Sequence, residues 1–557
     1  MELTATIICL MCLVQVYGET DGKKVVQVEQ GMLEGLVSVT EKGTRIATFT
    51  SIPYAKPPLG PLRFKAPQAP EKWEGVRPAD APFRVCTQMG QGEEDCLLLN
   101  VVAPLDKGDK LPVMFWIHGG AFFLGSASLE FYGFESFADR GMVMVSANYR
   151  LSALGFLSLE GSDVTPNAGL KDLVAALRWV RSNIAQFGGG PDHVTVFGES
   201  AGAASVQYLV VSPMARGLFK GAIMQSGTAC ANWAFREPSS EDAFRLGESL
   251  GKRTSDPQEL AEFLRALPAS DIVDKVLDDW ASRKAEMKLK SINVQTIPFV
   301  PTVDYPVGVG DSLEEVFLPD RPDSLLKQGT FNKDLPQIIG MNSLEAAFLT
   351  SVPGMEEWPL LEANWESFVP EDMGLRAGSP ASKLVAARVR EFYFHNETLS
   401  DLSAMAYLEC SSDADWTRRT SECTKYVAQH TPDRLWVYYF TYQGSNSITC
   451  NTQDCTHISG AAHFDEVLLL FPDNPLGGPL SPEDRAVQGP MLDAWTSFAR
   501  TGRPDPGAGV TWTPVESPAV LSHLVFDGQP RMDPGDLRAN YTSFWAEVGA
   551  EVARLGQ

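Results

Sequence analysis

The chain is poor in positive charge. Its 557 residues include 46 Lys and Arg against 70 Asp and Glu, which gives a formal net charge of −24 at pH 7. A surface with this excess of negative charge repels phosphate groups, so nucleic acids and anionic membrane surfaces are not expected partners. The same excess keeps a secreted protein soluble, which is the simpler interpretation of it.

The chain also lacks any feature that would divide it. No Pro-, Gly- or Ser-rich linker, charge block or internal repeat interrupts it. Large α/β enzymes often form one domain, so we expect a single domain over residues 19–557. Metal-site spacing of His and Cys is absent as well, and we expect no metal or other cofactor.

Polar residues are scarce at the very start of the chain. Residues 3–17 are apolar with few breaks, and the small residue Gly18 follows them. This pattern predicts a secretory signal peptide at 1–18, although no basic residue precedes the apolar run. A membrane anchor is the alternative, but the run is shorter than the roughly 20 residues of a spanning helix. The last residues, 551–557, form neither a hydrophobic tail nor a retention signal, so we expect a secreted, extracellular protein without a membrane span.

One short run carries a catalytic signal. A β-branched, apolar stretch at 195–197 leads into Gly198-Glu199-Ser200-Ala201-Gly202, and an alanine-rich segment of helical character follows. A Gly-x-Ser-x-Gly turn between a strand and a helix is typical of a nucleophile elbow, in which a strained backbone lifts the serine hydroxyl clear of the sheet. The run therefore predicts Ser200 as a nucleophile.

A second run predicts hydrogen-bond donors for such a nucleophile. Residues 112–117 are typical of a fully buried strand, and they end in His118-Gly119-Gly120-Ala121-Phe122. Backbone N–H groups of a small-residue loop can point into a cavity, as in the oxyanion loops of lipases and esterases. A glycine turn that merely closes a strand is the alternative.

A catalytic serine also needs a base, and seven histidines are available: His118, His193, His395, His430, His457, His463 and His523. His463 differs from the others because small residues precede it at 459–462 and an apolar run follows at 467–471. A loop histidine at this place could reach back over a sheet. We therefore expect His463 to be the base.

The third group would be a carboxylate that orients the base. Residues 337–340 resemble a short buried strand, and Glu345 follows just past its end, where open α/β sheets gather their chemistry. The order Ser200, Glu345, His463 is the order Ser, Asp or Glu, His of α/β-hydrolases. Asp465 and Glu466 remain rival acids, although they are too close in sequence to His463 to reach the far nitrogen of its ring.

Further motifs show that the chain resembles a type-B carboxylesterase of the carboxylesterase/cholinesterase family, from about residue 25 to about residue 548. The resemblance rests on several separate runs: residues 51–58, 62–64, 94–101, 148–150, 155–156, 167–172, 176–180, 197–202 and 225–227. It implies an α/β-hydrolase fold with a large, mostly parallel central sheet, flanking helices and helical cap insertions. Apolar, strand-like residues 142–147 and helical patterns at 170–185 fit such a fold, and we assign the helical stretches 242–290 and 380–430 to the cap region.

The resemblance also implies roles for individual residues. Ser200, Glu345 and His463 correspond to the catalytic triad, and the oxyanion donors correspond to the N–H groups of Gly120, Ala121 and Ala201. Glu199 is similar to a second carboxylate of the pocket, and Ser226 to a buried polar support. The pairs Arg63 with Glu94 and Arg150 with Asp172 resemble structural ion pairs of the family. Ala121 stands where the family usually has a third glycine, so we expect a bias against bulky acyl groups.

Seven cysteines remain after those of the leader: Cys86, Cys96, Cys230, Cys410, Cys423, Cys450 and Cys455. Cys86 and Cys96 match the first disulfide of the family. Proximity along the chain predicts the pairs Cys410–Cys423 and Cys450–Cys455 and leaves Cys230 free, although connectivity cannot be deduced from sequence alone. Asn396 and Asn540 begin glycosylation sequons that suit a secreted protein.

The sequence predicts an ester hydrolase that needs a small-molecule ester and water. Only nine residues separate Cys86 from Cys96, and none is the tryptophan with which cholinesterases bind choline by cation–π attraction, so choline esters should be poor substrates. A juvenile-hormone-esterase-like hydrolase is the alternative, because the run Gly460-x-x-His463-x-x-Glu466 fits such enzymes, although those of insects commonly have Gln in place of Glu199. A non-catalytic adhesion protein of the neuroligin type is a further alternative, but such proteins typically lose a member of the triad.

Overall fold

The computed structural model describes residues 22–287, 297–305, 307, 316–350, 352–452, 455, 457–507 and 509–555. The predicted signal peptide at 1–18 lies outside the described residues. Within them there are thirteen strands: β1 (Lys23–Val28), β2 (Gly31–Val39), β3 (Arg45–Pro53), β4 (Val76–Pro78), β5 (Leu98–Pro104), β6 (Leu111–Ile117), β7 (Val143–Ala147), β8 (Gly189–Glu199), β9 (Gly221–Gln225), β10 (Gln337–Asn342), β11 (Leu435–Phe440), β12 (His523–Phe526) and β13 (Arg531–Asp533).

All of these strands belong to one sheet. Its spatial order is β1-β2-β3-β5-β7-β6-β8-β9-β10-β11-β12-β13, and β4 pairs with β2. The strands from β7 to β12 in this order run parallel to one another, whereas β1, β2, β3, β5 and β7 pair antiparallel. The central, mostly parallel sheet that the sequence predicts is confirmed.

Helices cover the sheet and fill the connections between its strands. The α-helices of the described residues are α1 (Glu135–Ala138), α2 (Ser152–Phe156), α3 (Ala168–Asn183), α4 (Ala201–Val211), α5 (Glu241–Ser249), α6 (Pro257–Ala266), α7 (Ala269–Met287), α8 (Pro322–Gln328), α9 (Ala346–Leu349), α10 (Trp358–Glu362), α11 (Pro380–Phe394), α12 (Ala404–Ser412), α13 (Arg418–Ala428), α14 (Ile448–Thr452), α15 (Asp465–Leu470), α16 (Pro482–Thr501) and α17 (Ala539–Arg554). A π-helical turn, Asp413–Thr417, joins α12 to α13 without a break. Short 3-10 turns occur at Gly60–Leu62, Ile184–Phe187, Pro213–Ala215, Trp365–Phe368, Glu371–Met373, Asp401–Ser403 and Pro432–Arg434.

The sheet separates two apolar cores. Successive side chains of a strand point to opposite faces, so Val113, Phe115 and Ile117 of β6 enter one core. Met114 and Trp116 of the same strand enter the other. Because both faces are covered, β6 is apolar along its whole length, as a central strand of a parallel sheet must be.

The carboxyl ends of the parallel strands meet at one edge of the sheet. There β6 leads into His118, β8 into Ser200, β9 into Ser226 and β10 towards Glu345. The segment before His463 joins this edge through a parallel bridge between Leu344 and Ala462, and the Leu344 N–H donates to the Ala461 carbonyl oxygen at 2.8 Å. Residues far apart in the sequence are thereby gathered at one place.

The helical stretches expected at 242–290 and 380–430 are confirmed where the structure describes them. The first contains α5, α6 and α7, and residues 288–290 lie outside the described residues. The second contains α11, α12, the π-turn and α13. No helix in the described residues is both long and apolar enough to cross a membrane.

Candidate active site

Ser200 occupies the tight turn between β8 and α4. Its φ of 57° and ψ of −124° place a non-glycine residue in a strained region of backbone space, which persists only where the surroundings enforce it. The Ser200 N–H donates to the Gln225 carbonyl oxygen at 2.9 Å, and its own carbonyl accepts from the Ala204 N–H at 2.9 Å. The predicted strand-turn-helix context of the serine is therefore present.

Glycines allow the turn to pack closely against its neighbours. A Cβ on Gly202 would collide with the carbonyl oxygen of Ile117 at the end of β6. A Cβ on Gly119 would lie 2.6 Å from Glu199 Oε2 and 3.0 Å from Ser200 Cβ. The loop after β6 therefore lies directly against the serine turn, and larger residues at these two positions would push them apart.

That loop presents unpaired backbone donors. Gly120 and Ala121 both have positive φ, 105° and 55°, and neither N–H donates a hydrogen bond to any residue that the structure describes. Ala201 is the first residue of α4, where an N–H has no acceptor within the helix. Three free N–H groups therefore belong to segments that border Ser200, as an oxyanion site requires.

His463 and Glu345 form a buried hydrogen-bonded pair. The Nδ1 of His463 lies 2.6 Å from Glu345 Oε2, across 118 positions of sequence. The other oxygen of Glu345 accepts the Asn342 N–H at 2.8 Å, and the side chain is fully buried. This carboxylate is held by the backbone and in turn fixes the ring, which is the role of the third member of a triad.

The opposite nitrogen of the ring faces a second carboxylate. His463 Nε2 lies 2.9 Å from Glu199 Oε1, and both side chains are almost completely buried. Burial by itself lowers the pKa of His463, but the two carboxylates outweigh burial and leave that pKa well above its usual value. Burial raises the pKa of Glu199, and the imidazole opposes this rise.

The Ser200 hydroxyl makes no hydrogen bond to a described residue. His463 Nε2 likewise has no hydrogen-bond partner among the described residues, although Glu199 Oε1 lies 2.9 Å from it. Catalytic hydrogen bonds are often long or misaligned in the absence of substrate.

The rival acids lie elsewhere in this neighbourhood. Asp465 accepts hydrogen bonds from Ser447, Ile448 and Ala462, so it fixes the loop before the histidine. Glu466 accepts from Asn342 Nδ2 at 2.5 Å and from Gln225 Nε2 at 3.3 Å. Burial, Glu199 and Glu345 together raise the pKa of Glu466 to about 8.

Trp416 is a site residue that the sequence analysis missed. It lies in the π-helical turn and is 2% exposed. Its ring centroid is 5.7 Å from that of His463, with the planes inclined by 52°. A π-turn inserts an extra residue into a helix and often occurs at functional sites, but it leaves no mark in the hydrophobic pattern of one sequence.

Comparisons with known proteins agree with this geometry. The model of the carboxylesterase family matches residues 22–545. The chain belongs to the carboxylesterase family. It is 33% identical over 509 residues to Esterase E4 of Myzus persicae, with 88% of each chain covered. It is 32% identical over 525 residues to Juvenile hormone esterase of Tribolium castaneum, which covers 88% of this chain and 86% of that protein.

A solved structure supports the same assignment. The crystal structure of Juvenile Hormone Esterase from Manduca sexta, with OTFP covalently attached, matches with a TM-score of 0.80 at 25% identity. The match covers 95% of this chain and 99% of that one. The predicted α/β-hydrolase fold is confirmed, and this carboxylesterase is a carboxylic-ester hydrolase.

The structure corrects one predicted disulfide. Cys423 is bonded to Cys230 and not to Cys410, which is a buried free thiol. Cys410 and Cys423 lie thirteen positions apart on one uninterrupted helical run, and at 1.5 Å per residue they are about 20 Å apart, too far for a bridge. The Cys230–Cys423 bond closes a loop of 193 positions. Because it restricts the entropy of the unfolded chain, it stabilises the folded carboxylesterase by about 5 kcal/mol. The predicted pairs Cys86–Cys96 and Cys450–Cys455 are confirmed.

The remaining predicted residues occupy less central positions. Ser226 follows β9 with φ of 54°, and its buried hydroxyl has no partner among the described residues. Asn396 and Asn540 are exposed. Arg63 pairs with Glu94 at 2.5 Å and Arg150 with Asp172 at 2.7 Å, as expected of buried structural pairs. No cluster of metal-ligating side chains occurs in the part of the chain that the structure describes.

Proposed function

We propose that this carboxylesterase hydrolyses small apolar esters by two-step acyl transfer on Ser200. His463 takes the Ser200 proton, the oxygen attacks the ester carbonyl, and the imidazolium then donates its proton to the departing alcohol. Water repeats these steps on the acyl-enzyme and releases the acid. No cofactor takes part in these reaction steps.

One observation carries the proposal. The 2.6 Å contact between His463 Nδ1 and Glu345 Oε2 leaves the Nε2 of the ring as its proton acceptor. Glu345 thereby selects the tautomer that a general base needs, and it stabilises the imidazolium that forms during each step. The strained turn at Ser200 supplies the second requirement, which is a hydroxyl held on a rigid support.

The free N–H groups of Gly120, Ala121 and Ala201 support the same mechanism. They are the natural donors to the negative oxygen of the tetrahedral intermediate. Each such donor contributes about 10²–10³ in rate. The methyl group of Ala121 narrows this side of the pocket, so small acyl groups should react best.

Glu199 influences the pH at which His463 becomes neutral and can act as a base. Because the pKa of His463 is raised by Glu199 and Glu345, the ring loses its proton at a higher pH than an isolated imidazole does. Loss of this proton leaves Nε2 free to accept the proton of Ser200. Activity should therefore rise with pH as His463 becomes neutral.

A juvenoid methyl ester is the second candidate substrate. Two of the proteins similar to this chain are juvenile hormone esterases. Glu199 argues against this candidate, since the insect hormone esterases commonly have Gln at that place. Choline esters are poor candidates because the segment between Cys86 and Cys96 contains no tryptophan.

Secretion is part of the same proposal. Three disulfides within the described residues fit an oxidising compartment, and both sequons are exposed. We propose that residues 1–18 direct export and that Asn396 and Asn540 are glycosylated. Intact mass spectrometry of the exported protein, with and without a glycosidase, tests all three points.

A kinetic panel tests the substrate assignment. We expect p-nitrophenyl acetate and naphthyl acetate to give the highest kcat/KM, with p-nitrophenyl decanoate, a juvenoid methyl ester and acetylthiocholine well below them. A Ser200→Ala variant serves as the background for each ester. A juvenoid kcat/KM above that of the aryl acetates would replace the proposal with the hormone-esterase function.

A further inference from the structure

The Cys230–Cys423 disulfide joins the two segments that enclose the candidate site. One segment follows β9 and begins at Ser226. A Cβ on Gly227 would collide with the Ser200 carbonyl oxygen, so this segment lies against the serine turn. It continues through Cys230 to Trp233, whose ring lies 6.5 Å from that of Phe122 in the oxyanion loop.

The other segment is the π-turn with the start of α13. It carries Trp416, which lies against His463, and it continues to Cys423. One tryptophan therefore borders the oxyanion side of the site and the other borders the histidine side. Each belongs to one of the two segments that the disulfide connects.

Two hydrogen bonds reinforce the same connection. Asn232 Nδ2 donates to Asp415 Oδ1 at 3.0 Å, which links the neighbour of Trp233 to the neighbour of Trp416. Arg419 Nε donates to the Cys230 carbonyl oxygen at 3.0 Å. These contacts span 183 and 189 positions of sequence, so they join segments that are far apart along the chain.

The tryptophans do not anchor themselves. Both indole Nε1 atoms are buried, and neither has a hydrogen-bond partner among the described residues. The position of each ring therefore follows from the backbone that carries it and from packing. A change in the distance between the two segments would therefore change the distance between the two rings.

We propose that the Cys230–Cys423 disulfide is a positioning cross-link that sets the spacing of Trp233 and Trp416 and thereby selects substrates by size. The proposal rests on the ester hydrolysis proposed above and adds a determinant of its specificity. Without the bond, Trp416 withdraws from His463 and the site admits longer acyl chains. Stability alone does not account for this role, because a loss of stability lowers the rates of all substrates together.

The test is competition between two substrates, since the ratio of their kcat/KM values does not depend on the fraction of active enzyme. The ratio for p-nitrophenyl hexanoate over p-nitrophenyl acetate is measured in the full-length wild type, in Cys230→Ala with Cys423→Ala, and in Cys410→Ala. Cys410 is the matched control because it is a buried cysteine of the same helical run without a disulfide. We expect the ratio to rise at least fivefold in the double variant and to stay within twofold of wild type in the control.

Trp416→Ala shows whether the effect passes through that ring. In a Trp416→Ala background, replacing Cys230 and Cys423 by Ala should change the hexanoate-to-acetate ratio less than twofold. The reason is that coupled positions do not add their effects, and the ring through which the disulfide acts is already absent. If the double-cysteine variant fails to fold, the folded wild type is treated with a thiol reductant until peptide mapping shows Cys230 and Cys423 reduced, and we expect the same rise in the ratio. An unchanged ratio in the folded double variant, or in the reduced wild type when it replaces that variant, would overturn the cross-link and leave the ester hydrolysis intact. A wild type without esterase activity would overturn both.

Discussion

Glu199 Oε1 lies 2.9 Å from His463 Nε2, the nitrogen that receives the proton of Ser200 in the proposed mechanism. This carboxylate and Glu345 raise the pKa of His463 against the opposing effect of burial. The base is active only when neutral, so a raised pKa moves the acidic limb of the kcat/KM profile to higher pH.

Replacing Glu199 by Gln should therefore shift that limb. Removal of one negative charge lowers the pKa of His463, and we expect the midpoint of the limb to fall by about 1–3 pH units, the usual effect of a neighbouring opposite charge. The profile is measured with p-nitrophenyl acetate from pH 4 to 9. Glu74→Gln, at an exposed position, is the control and should keep the wild-type midpoint. A midpoint that stays in place or rises would show that Glu199 does not govern the base.

Glu345→Gln tests the orienting carboxylate. The amide loses the charge that stabilises the imidazolium and can hold the ring in the wrong tautomer. We expect kcat to fall by about 10³–10⁴, as in other triads that lose this charge, with little change in KM. Glu466→Gln serves as the comparison because its carboxyl makes no hydrogen bond to the ring among the described contacts. A smaller loss in Glu345→Gln than in Glu466→Gln would reverse the assignment of the acid.

Glu466 should make the stability of the protein depend on pH. Its pKa is raised to about 8 in the folded state, so between the unfolded pKa and pH 8 the folded state binds more protons and stability falls as pH rises. Glu466→Gln removes this dependence. We expect the unfolding free energy of the variant to gain about 3–4 kcal/mol on that of the wild type between pH 5 and 8, measured by urea unfolding at several pH values. A difference in unfolding free energy that is constant with pH would contradict a raised pKa.

Ala121→Gly tests the size limit at the oxyanion loop. The methyl group is partly buried beside the site, and its removal leaves the backbone N–H in place. We expect kcat/KM for p-nitrophenyl butyrate to rise by about two- to tenfold relative to that for the acetate. This is the order of discrimination that one methylene group in an apolar pocket supplies. The acetate serves as the internal control. An equal change for both esters would mean that Ala121 does not restrict the acyl group.

The sequence predicts the parts of the site that depend on local pattern. The turn at Ser200, the small-residue loop at 119–121 and the strand before Glu345 each carry a pattern that one sequence displays. Parallel strands then bring their carboxyl ends together by topology. The pairing of Glu345 with His463 can be predicted from the sequence because the order of the residues along the chain and the ends of the strands leave few candidate acids and bases.

The sequence does not predict what depends on long-range packing. Cys423 lies nearer to Cys410 along the chain, but the rigid helical run from α12 to α13 keeps them apart and brings Cys423 to Cys230. Trp416 contacts His463 from within a π-turn, and such a turn shifts the phase of a helix by an amount that the hydrophobic pattern does not display. The contact of Glu199 with the base likewise depends on the exact position of the ring.

The identity of the nucleophile is tested most directly by covalent labelling. The native protein is treated with a fluorophosphonate, and the tryptic peptide spanning residues 182–216 is sequenced by tandem mass spectrometry. Its serines are Ser182, Ser200, Ser205 and Ser212. We expect one adduct, on Ser200, with a parallel loss of p-nitrophenyl acetate hydrolysis and no adduct in Ser200→Ala. Complete inactivation with the label on another residue, or hydrolysis at the wild-type rate by Ser200→Ala, would contradict it.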